Sequence, residues 1–480
     1  MDEYYLLIDI GTGSTRAAFT DSAGNIIGMR SVMNTYQRDP AYPDAQYFIP
    51  SDWEREILAC CDALHSEHPE IRAKAVSAAG TRQTILLLDS EGRAFFGLPN
   101  IDNRGREFMD TLSGLEDELY RLSGKWVTED FCAAKLMGLR LRRPEIYARA
   151  AQVLSASEWI ARLFTGRSYM EPTMACETQL YDLAGGEWSD RLCSVYGVDT
   201  SLLPELAPCG SAAGAILDEY VVRFNMADDA IFIIGGADTQ LALRQTGLQA
   251  GEVAIVSGTT SPVVTLLDAP IWDEQQRLWI DAGLGGKGFL AEMNPGVTGL
   301  NYQRIKDMLC PETSYEELEQ AYSEMKTFRC TASFSSLLFY ERKSLRRGGF
   351  FARSPLDEHL TRIDMVWAVL ADIACSTYEQ LWRLTDITGV STGHILGCGG
   401  GLRSGTLCSM LAELSGLELR LRTGFEQATI QGLSDVCADG LGHKAAVEES
   451  PVLSFPPGEY PLIREYYPVW LENREKANSL

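Results

Sequence analysis

An apolar run ending in an aspartate, followed at once by glycines and hydroxyl residues, opens this chain: residues 6 to 21 read LLIDIGTGSTRAAFTD. Gly11 and Gly13 let a backbone approach a ligand closely, and successive amides in such a turn form a concavity for an anion. Thr12, Ser14 and Thr15 add hydroxyl donors, and Arg16 brings a positive charge. Asp9 accepts hydrogen bonds only and repels phosphate directly. It is suited to holding a hydrated Mg²⁺ between itself and phosphates. The same residues also make a plain glycine turn with a solvated aspartate, and this stretch alone leaves both readings open.

A second candidate lies in IFIIGGADTQLALRQTGL, where a buried strand from Ile231 to Ile234 ends in Gly235 and Gly236. Asp238 then stands where a helix begins, a place where the dipole and free amides favour its charged form. Read alone it is a helix cap or a functional carboxylate. Two glycines are more than a cap requires. The third is GHILGCGGGLRSGTLCSMLAELSGLELRL. A strand from His394 to Leu396 enters a turn with Gly397, Gly399, Gly400 and Gly401, and a helix follows from about Ser404. Strand, glycine turn and helix bring a backbone flat against a nucleotide. Neither the Walker loop nor the dinucleotide fingerprint fits this run. Leu407, Met410, Leu411 and Leu414 make the core face of that helix, with Gly416 as its stop.

The elements that must hold these residues alternate between strand-like and helix-like patterns, which indicates α/β layers. YYLLIDIG, TRAAFTD and NIIGMRSV predict antiparallel strands, with residues 21 to 25 as a tight connection between the second and third. Ile363, Val366, Trp367, Leu370, Ile373, Ala374 and Leu381 predict one apolar face of a long helix. AIVSGTTSPVVTLLD, from Ala254, repeats the opening logic of apolar strand, Gly-Thr, hydroxyl residue and apolar strand. Two such hairpins nearly half a chain apart predict two related domains facing across a cleft. We place their boundary near Leu248, giving residues 1–248 and 249–480.

A chain of 480 residues is too long for one core. Its apolar share of 45% and charged share of 22% are those of an ordinary globular protein. A net charge of −24 argues against nucleic acid and anionic membranes, which need clustered Lys and Arg. It leaves room for a nucleotide held by local amides, an arginine and a metal ion. No apolar run is long enough for a membrane span, and the strand pattern from Tyr4 leaves no room for a signal peptide. The 12 cysteines include no C-x-x-C pair, and core thiols in a reducing cytoplasm are expected.

The three glycine elements, in this order and spacing, resemble the FGGY family of carbohydrate kinases, within the actin-like, sugar-kinase and chaperone ATPase superfamily. The resemblance covers about residues 4 to 445. It implies two ribonuclease-H-like domains with ATP and sugar meeting in the cleft between them. It further implies that DIGTGSTR is the first phosphate hairpin, contributed by Gly11, Thr12, Gly13, Ser14 and Arg16. Asp9 is then on the magnesium shell, with Asp238 as a second metal contact. Gly258, Thr259, Thr260 and Ser261 become the second phosphate hairpin. Asp238 becomes the general base, and Gly399, Gly400, Gly401, Arg403 and Ser404 lie under adenine and ribose. Arg82 and Gln83 of AGTRQT, Asp102 and Arg104 of NIDNRG, and Asp238 with Gln240 are the implied sugar contacts.

Among branches, NIDNRG, SASEWIARLFTG and GGADTQL look most like the autoinducer-2 kinases. Gln83 stands where those and the glycerol kinases usually have Glu, Glu158 replaces a common Asp, and Gln427 replaces the Glu of Glu-Ala-Thr. The segment YERKSLRRGG, residues 340 to 349, matches only loosely. These departures bear on the substrate and leave the base untouched. The expected reaction is ATP-dependent, Mg²⁺-assisted phosphorylation of a sugar or polyol hydroxyl by a cytoplasmic enzyme. Exposed faces of the second domain can support a homodimer. The alternatives are an actin-like or chaperone-type ATPase and a catalytically impaired sugar-binding relic. Arg82, Gln83, Asp102 and Arg104, polar residues beside strand-like runs, stand against the ATPase alternative.

Overall fold

The computed structural model describes residues 3–42, 44–337, 347–443 and 452–478, so residues 340–346 of the loosely matching block lie outside the described residues. The chain divides into two compact units. The first comprises Met1–Gln245, Ile280–Phe289 and Thr429–Glu449. The second comprises Thr246–Trp279, Leu290–Ala428 and Ser450–Leu480.

In the first unit the three predicted opening strands are present as Tyr4–Ile10, Ser14–Asp21 and Ile26–Met33, each antiparallel to the next. The connection after Asp21 is closed by its own carboxylate, which accepts from the amides of Ala23 at 3.0 Å and Asn25 at 2.8 Å. This is how a short acidic side chain substitutes for a backbone turn partner. On its other side Tyr4–Ile10 pairs in parallel with Ala73–Gly80, which pairs in parallel with Ile231–Ile233, and Ala212–Ala215 closes that edge antiparallel. One face of this sheet packs on the helices Pro50–Glu67 and Ala156–Thr165 through Trp53, Ile57, Leu64, Trp159 and Phe164. The other face, with Tyr5, Leu7, Ala18 and Ala79, is covered by Ile430, Leu433, Val436 and Cys437 of the helix Ala428–Gly440.

The second unit repeats the pattern. Val253–Val256 is antiparallel to Val263–Leu267 and parallel to His394–Cys398, which is parallel to Glu418–Arg422, with Val452–Phe455 antiparallel at the edge. The internal echo seen in the sequence is therefore a repeat of strand directions as well as of residues. The long helix runs from Arg362 to Thr388 behind a capping box made by Thr361 and Asp364. The sequence predicts one apolar face. The middle of the helix, from Val366 to Thr377, is instead buried all round. The strand Val263–Leu267 and the helices Gly299–Leu309, Gly405–Ser415 and Leu462–Asn478 pack around it, so its small and polar residues, Asp372 and Ser376 among them, are enclosed too.

All 12 cysteines are free thiols, ten of them buried. Among the described residues no helix is long and apolar enough to cross a membrane.

Candidate active site

Strand register assembles the first unit's site. Gly80 lies opposite Ile10 on one neighbour and opposite Ala237 of the short strand Gly236–Ala237 on the other. The residues that follow these three, Gly11, Thr81 and Asp238, therefore leave the sheet side by side at its carboxyl ends. Ligands of open α/β sheets bind at such ends. Gly235 permits this, because a β-carbon there would lie 2.0 Å from the carbonyl oxygen of Ala78.

The hairpin after Asp9 closes through the Gly11 amide, which donates to the Ser14 carbonyl at 3.0 Å. Asn34, just past the third strand, fixes its shape. Its side-chain amide donates to the Gly11 carbonyl at 2.7 Å, its backbone amide donates to the Gly13 carbonyl, and its Oδ1 accepts from the Thr15 hydroxyl. Thr12 Oγ1 accepts from Asn100 Nδ2 at 2.8 Å and lies 3.4 Å from the Thr81 hydroxyl. Gly13 at the tip is exposed. Neither Asn34 nor Asn100 is among the site residues expected from the sequence: Asn34 is one polar residue beyond an apolar strand, and Asn100 opens NIDNRG, where the resemblance bears on Asp102 and Arg104.

Asp9 is buried, and burial pushes its carboxyl up while Arg16, 3.9 Å away, opposes that shift. Asp238 begins the helix Asp238–Thr246, and its Oδ1 accepts from the Thr239 amide at 2.7 Å and hydroxyl at 3.3 Å. Surrounding protein pushes its pKa up to about 7, with the Arg82 charge pulling down and the Asp9 charge adding to the rise. A carboxylate poised near neutrality beside an arginine is what proton acceptance from a hydroxyl needs.

Arg82 and Gln83 sit together over Glu177. Gln83 Nε2 donates to Glu177 at 2.7 Å and Arg82 lies 3.7 Å from the same carboxylate. Gln83 has a positive φ of 62°, and buried Lys135 locks this conformation by donating to the carbonyls of Gln83, Pro99 and Asn100. Asp102 and Arg104, the other expected pair, are brought together as well, but at 0% and 1% exposure. Asp102 accepts from Arg104 Nε at 2.6 Å and from the Gln46 amide at 2.8 Å, and Arg104 reaches Asp39 and the Gln46 carbonyl. Their polar atoms bind protein. Gln240 is also buried, and its Oε1 has no hydrogen-bond partner among the described residues.

In the second unit Ile255 and Val256 pair with Gly397 and Cys398, so the turns after them adjoin. The Gly401 amide donates to the Ser257 carbonyl at 2.9 Å and the Gly399 amide to the Phe425 carbonyl at 2.7 Å. The Gly258 amide closes its hairpin on Thr260, and Gly258 and Thr259 are exposed. Gly400 and Arg403 are exposed too. Ser404 caps the helix Gly405–Ser415 by accepting from the Leu407 amide, and its hydroxyl donates to Glu319. That carboxylate also takes the amide and hydroxyl of Thr406, so the helix start is already neutralised by protein. Gln427 is half-buried, and its amide donates to Gly424.

Asp9 and Asp238, whose charges oppose one another, would offer hard carboxylate oxygens to a magnesium ion. Such a pair suits an ion that keeps most of its waters and completes its shell with phosphate oxygens.

The profile of the N-terminal domain of the FGGY family of carbohydrate kinases matches residues 4–244. YoaC of Bacillus subtilis (strain 168), provisionally named a sugar kinase, is 35% identical over 435 residues, covering 90% of this chain and 89% of that one. The autoinducer-2 kinase of Salmonella typhimurium is 25% identical over 92% of this chain and 86% of its own. Among solved structures, xylulose kinase from Lactobacillus acidophilus superposes with a TM-score of 0.83 at 18% identity, covering 99% of this chain and 98% of its own. Plasmodium falciparum glycerol kinase with ADP gives 0.82 at 17% identity, covering 99% and 98%. The chain belongs to the FGGY family of carbohydrate kinases, with the two-domain actin-like fold. It is a phosphotransferase that uses ATP and an alcohol group as acceptor.

Proposed function

We propose that this kinase phosphorylates a small linear ketose, polyol or autoinducer-2-like dihydroxypentanedione, with Asp238 as the general base. The observation that carries this reading is the placement of Asp238 one residue beyond the strand ends, beside Asp9 and Arg82, with a pKa near 7. The autoinducer-2 kinases among its relatives support the third substrate class.

In this reading the sugar hydroxyl is held against Asp238 Oδ2, because Oδ1 already accepts from Thr239. As that oxygen attacks the γ-phosphoryl group of ATP, its proton passes to Asp238 and the bond to ADP breaks. Proton acceptance of this kind contributes about 10²–10⁴-fold. The hairpins Gly11–Ser14 and Gly258–Thr260 bind the phosphates in this reading, with the Gly11 and Gly258 amides closing the turns and the remaining dipoles stabilising spreading charge without reorganising. Asp9 and Asp238 would hold Mg²⁺, which when bound supplies positive charge to the phosphate oxygens. Arg82 and Gln83 contact the sugar. Asp102 and Arg104 then act through the loop they brace, and Gln240 offers its unpartnered oxygen. Gly399 to Gly401, with Arg403 and Ser404, hold the adenine and ribose. The enzyme is read as cytoplasmic, where its thiols stay reduced, with the exposed faces of the second domain able to support a homodimer.

A coupled ADP-release screen over glycerol, xylulose, gluconate and dihydroxypentanedione tests the reading. ADP release should depend on one of these acceptors. Release that ignores every acceptor would refute it.

A further inference from the structure

Behind Arg82 and Gln83 lies a set of buried charges. Glu177 follows the helix Pro172–Cys176, whose amino end is capped by Glu171. Its two oxygens divide their partners: Oε2 accepts from Gln83 Nε2 at 2.7 Å, while Oε1 accepts from Lys125 Nζ at 3.3 Å and faces Arg82 at 3.7 Å. Lys125 also pairs with Asp281. The side chains of Lys125, Glu177 and Asp281 are 0–1% exposed and that of Arg82 only 12%. Burying four charges is costly unless each is matched, and here two cations face two anions. Burial pushes the Glu177 carboxyl up, but Lys125 and Arg82, helped by Gln83, outweigh it and hold the group below its ordinary range. Glu177 is therefore charged at neutral pH.

This arrangement accounts for the departure at position 83. A glutamate there would set two carboxylates against one another with no proton to share. The amide of Gln83 supplies the donor that Glu177 requires, and the negative charge sits one layer deeper. Because Lys135 fixes the Gln83 backbone and Glu177 fixes its side chain, the residue has little freedom of its own.

We infer that Glu177 is a positioning residue for the acceptor sugar, orienting Arg82 and Gln83 from beneath and returning to the pocket the carboxylate absent at position 83. The inference rests on the proposed sugar role of Arg82 and Gln83. Glu177 touches no substrate in this reading, so its loss acts on sugar affinity more than on turnover and leaves the nucleotide alone.

The test measures KM for the preferred acceptor, KM for ATP, kcat and thermal midpoint in wild type, Glu177→Gln, Gln83→Glu, the double exchange Gln83→Glu/Glu177→Gln, and Arg82→Ala. Loss of a hydrogen bond to a charged group is expected to raise the sugar KM of Glu177→Gln by on the order of tenfold or more, with ATP KM within about twofold. Gln83→Glu, carrying two opposed carboxylates, should be worse. The double exchange restores one carboxylate and one amide and should recover at least about tenfold of that loss. If Glu177→Gln is too unstable to assay, the double exchange carries the test through its recovery over Gln83→Glu.

A Glu177→Gln enzyme with unchanged sugar KM, or a double exchange no better than Gln83→Glu, overturns the inference. If Arg82→Ala raises sugar KM in the same experiment, the proposed sugar site stands without it. If Arg82→Ala also leaves sugar KM unchanged, the proposed site falls and takes this inference with it.

Discussion

Asn34 Nδ2 donates to the carbonyl of Gly11 at 2.7 Å, and through this bond the end of the third strand dictates the shape of the first hairpin. Asn34→Ala removes that bond and the one its Oδ1 accepts from Thr15 at 2.8 Å. Two part-buried hydrogen bonds are worth about 1–3 kcal/mol together, so urea unfolding should show a loss in that range. A hairpin freed in this way should bind phosphates less well, and ATP KM should rise several-fold. A variant with wild-type ATP KM would remove the hairpin from the phosphate site.

Asp238→Asn keeps the shape of the side chain and the acceptor for the Thr239 amide while removing the base. Turnover should fall by about 10²–10⁴-fold, with ATP affinity by calorimetry nearly unchanged. An Asn variant retaining a tenth of wild-type kcat would take the base role away from this residue.

Glu158 and Glu171 form a buried carboxyl pair near the same strand ends. Glu158 accepts from the Glu171 amide at 3.3 Å and the Ser157 hydroxyl at 3.0 Å. Burial, and then the Glu171 charge, push Glu158 up to about 8, and burial pushes Glu171 up to about 7. The folded state therefore binds more protons than the unfolded chain from roughly pH 4.3, the ordinary glutamate value, up to the folded pKa values. Their contribution is fully present below that window and is lost as pH rises through about 7 to 8. Melting temperature should fall between pH 5 and 8, and Glu158→Gln should flatten that fall. Parallel curves for the two proteins would contradict it.

Gly399 has φ +100°, and a β-carbon there would lie 2.4 Å from the Ser257 carbonyl oxygen. Gly399→Ala must push apart the two turns that the proposed adenine site depends on. ATP KM should rise at least tenfold, of the order expected when a glycine-only conformation is forced, while sugar KM changes less. Equal effects on both constants would mean that the turn serves a general structural role.

The part of the candidate site that local sequence patterns make legible is its backbone. Hairpins of small residues after apolar strands, and an aspartate after two glycines, are local patterns, and strand register then brought Gly11, Thr81 and Asp238 into line. Partners contributed from far along the chain left no such trace. Glu177 meets Gln83 across 94 positions and Lys125 meets Asp281 across 156, contacts that folding creates and no spacing encodes. Ser404 shows the same limit: nothing in its glycine turn discloses that its hydroxyl donates to Glu319, 85 positions earlier. The long helix misled for a related reason. Periodicity registers a face against one neighbour, whereas Val366–Thr377 has neighbours on every side.

The helix Ala428–Gly440 lies in the core that Tyr5 and Leu7 help to form. During synthesis those two residues leave the ribosome more than 400 positions before Ile430, Leu433, Val436 and Cys437, which cover them. The sheet they belong to therefore waits with one apolar face bare until that helix emerges. A fragment ended at residue 248 would keep that face bare permanently, and would be expected to recruit chaperones or aggregate.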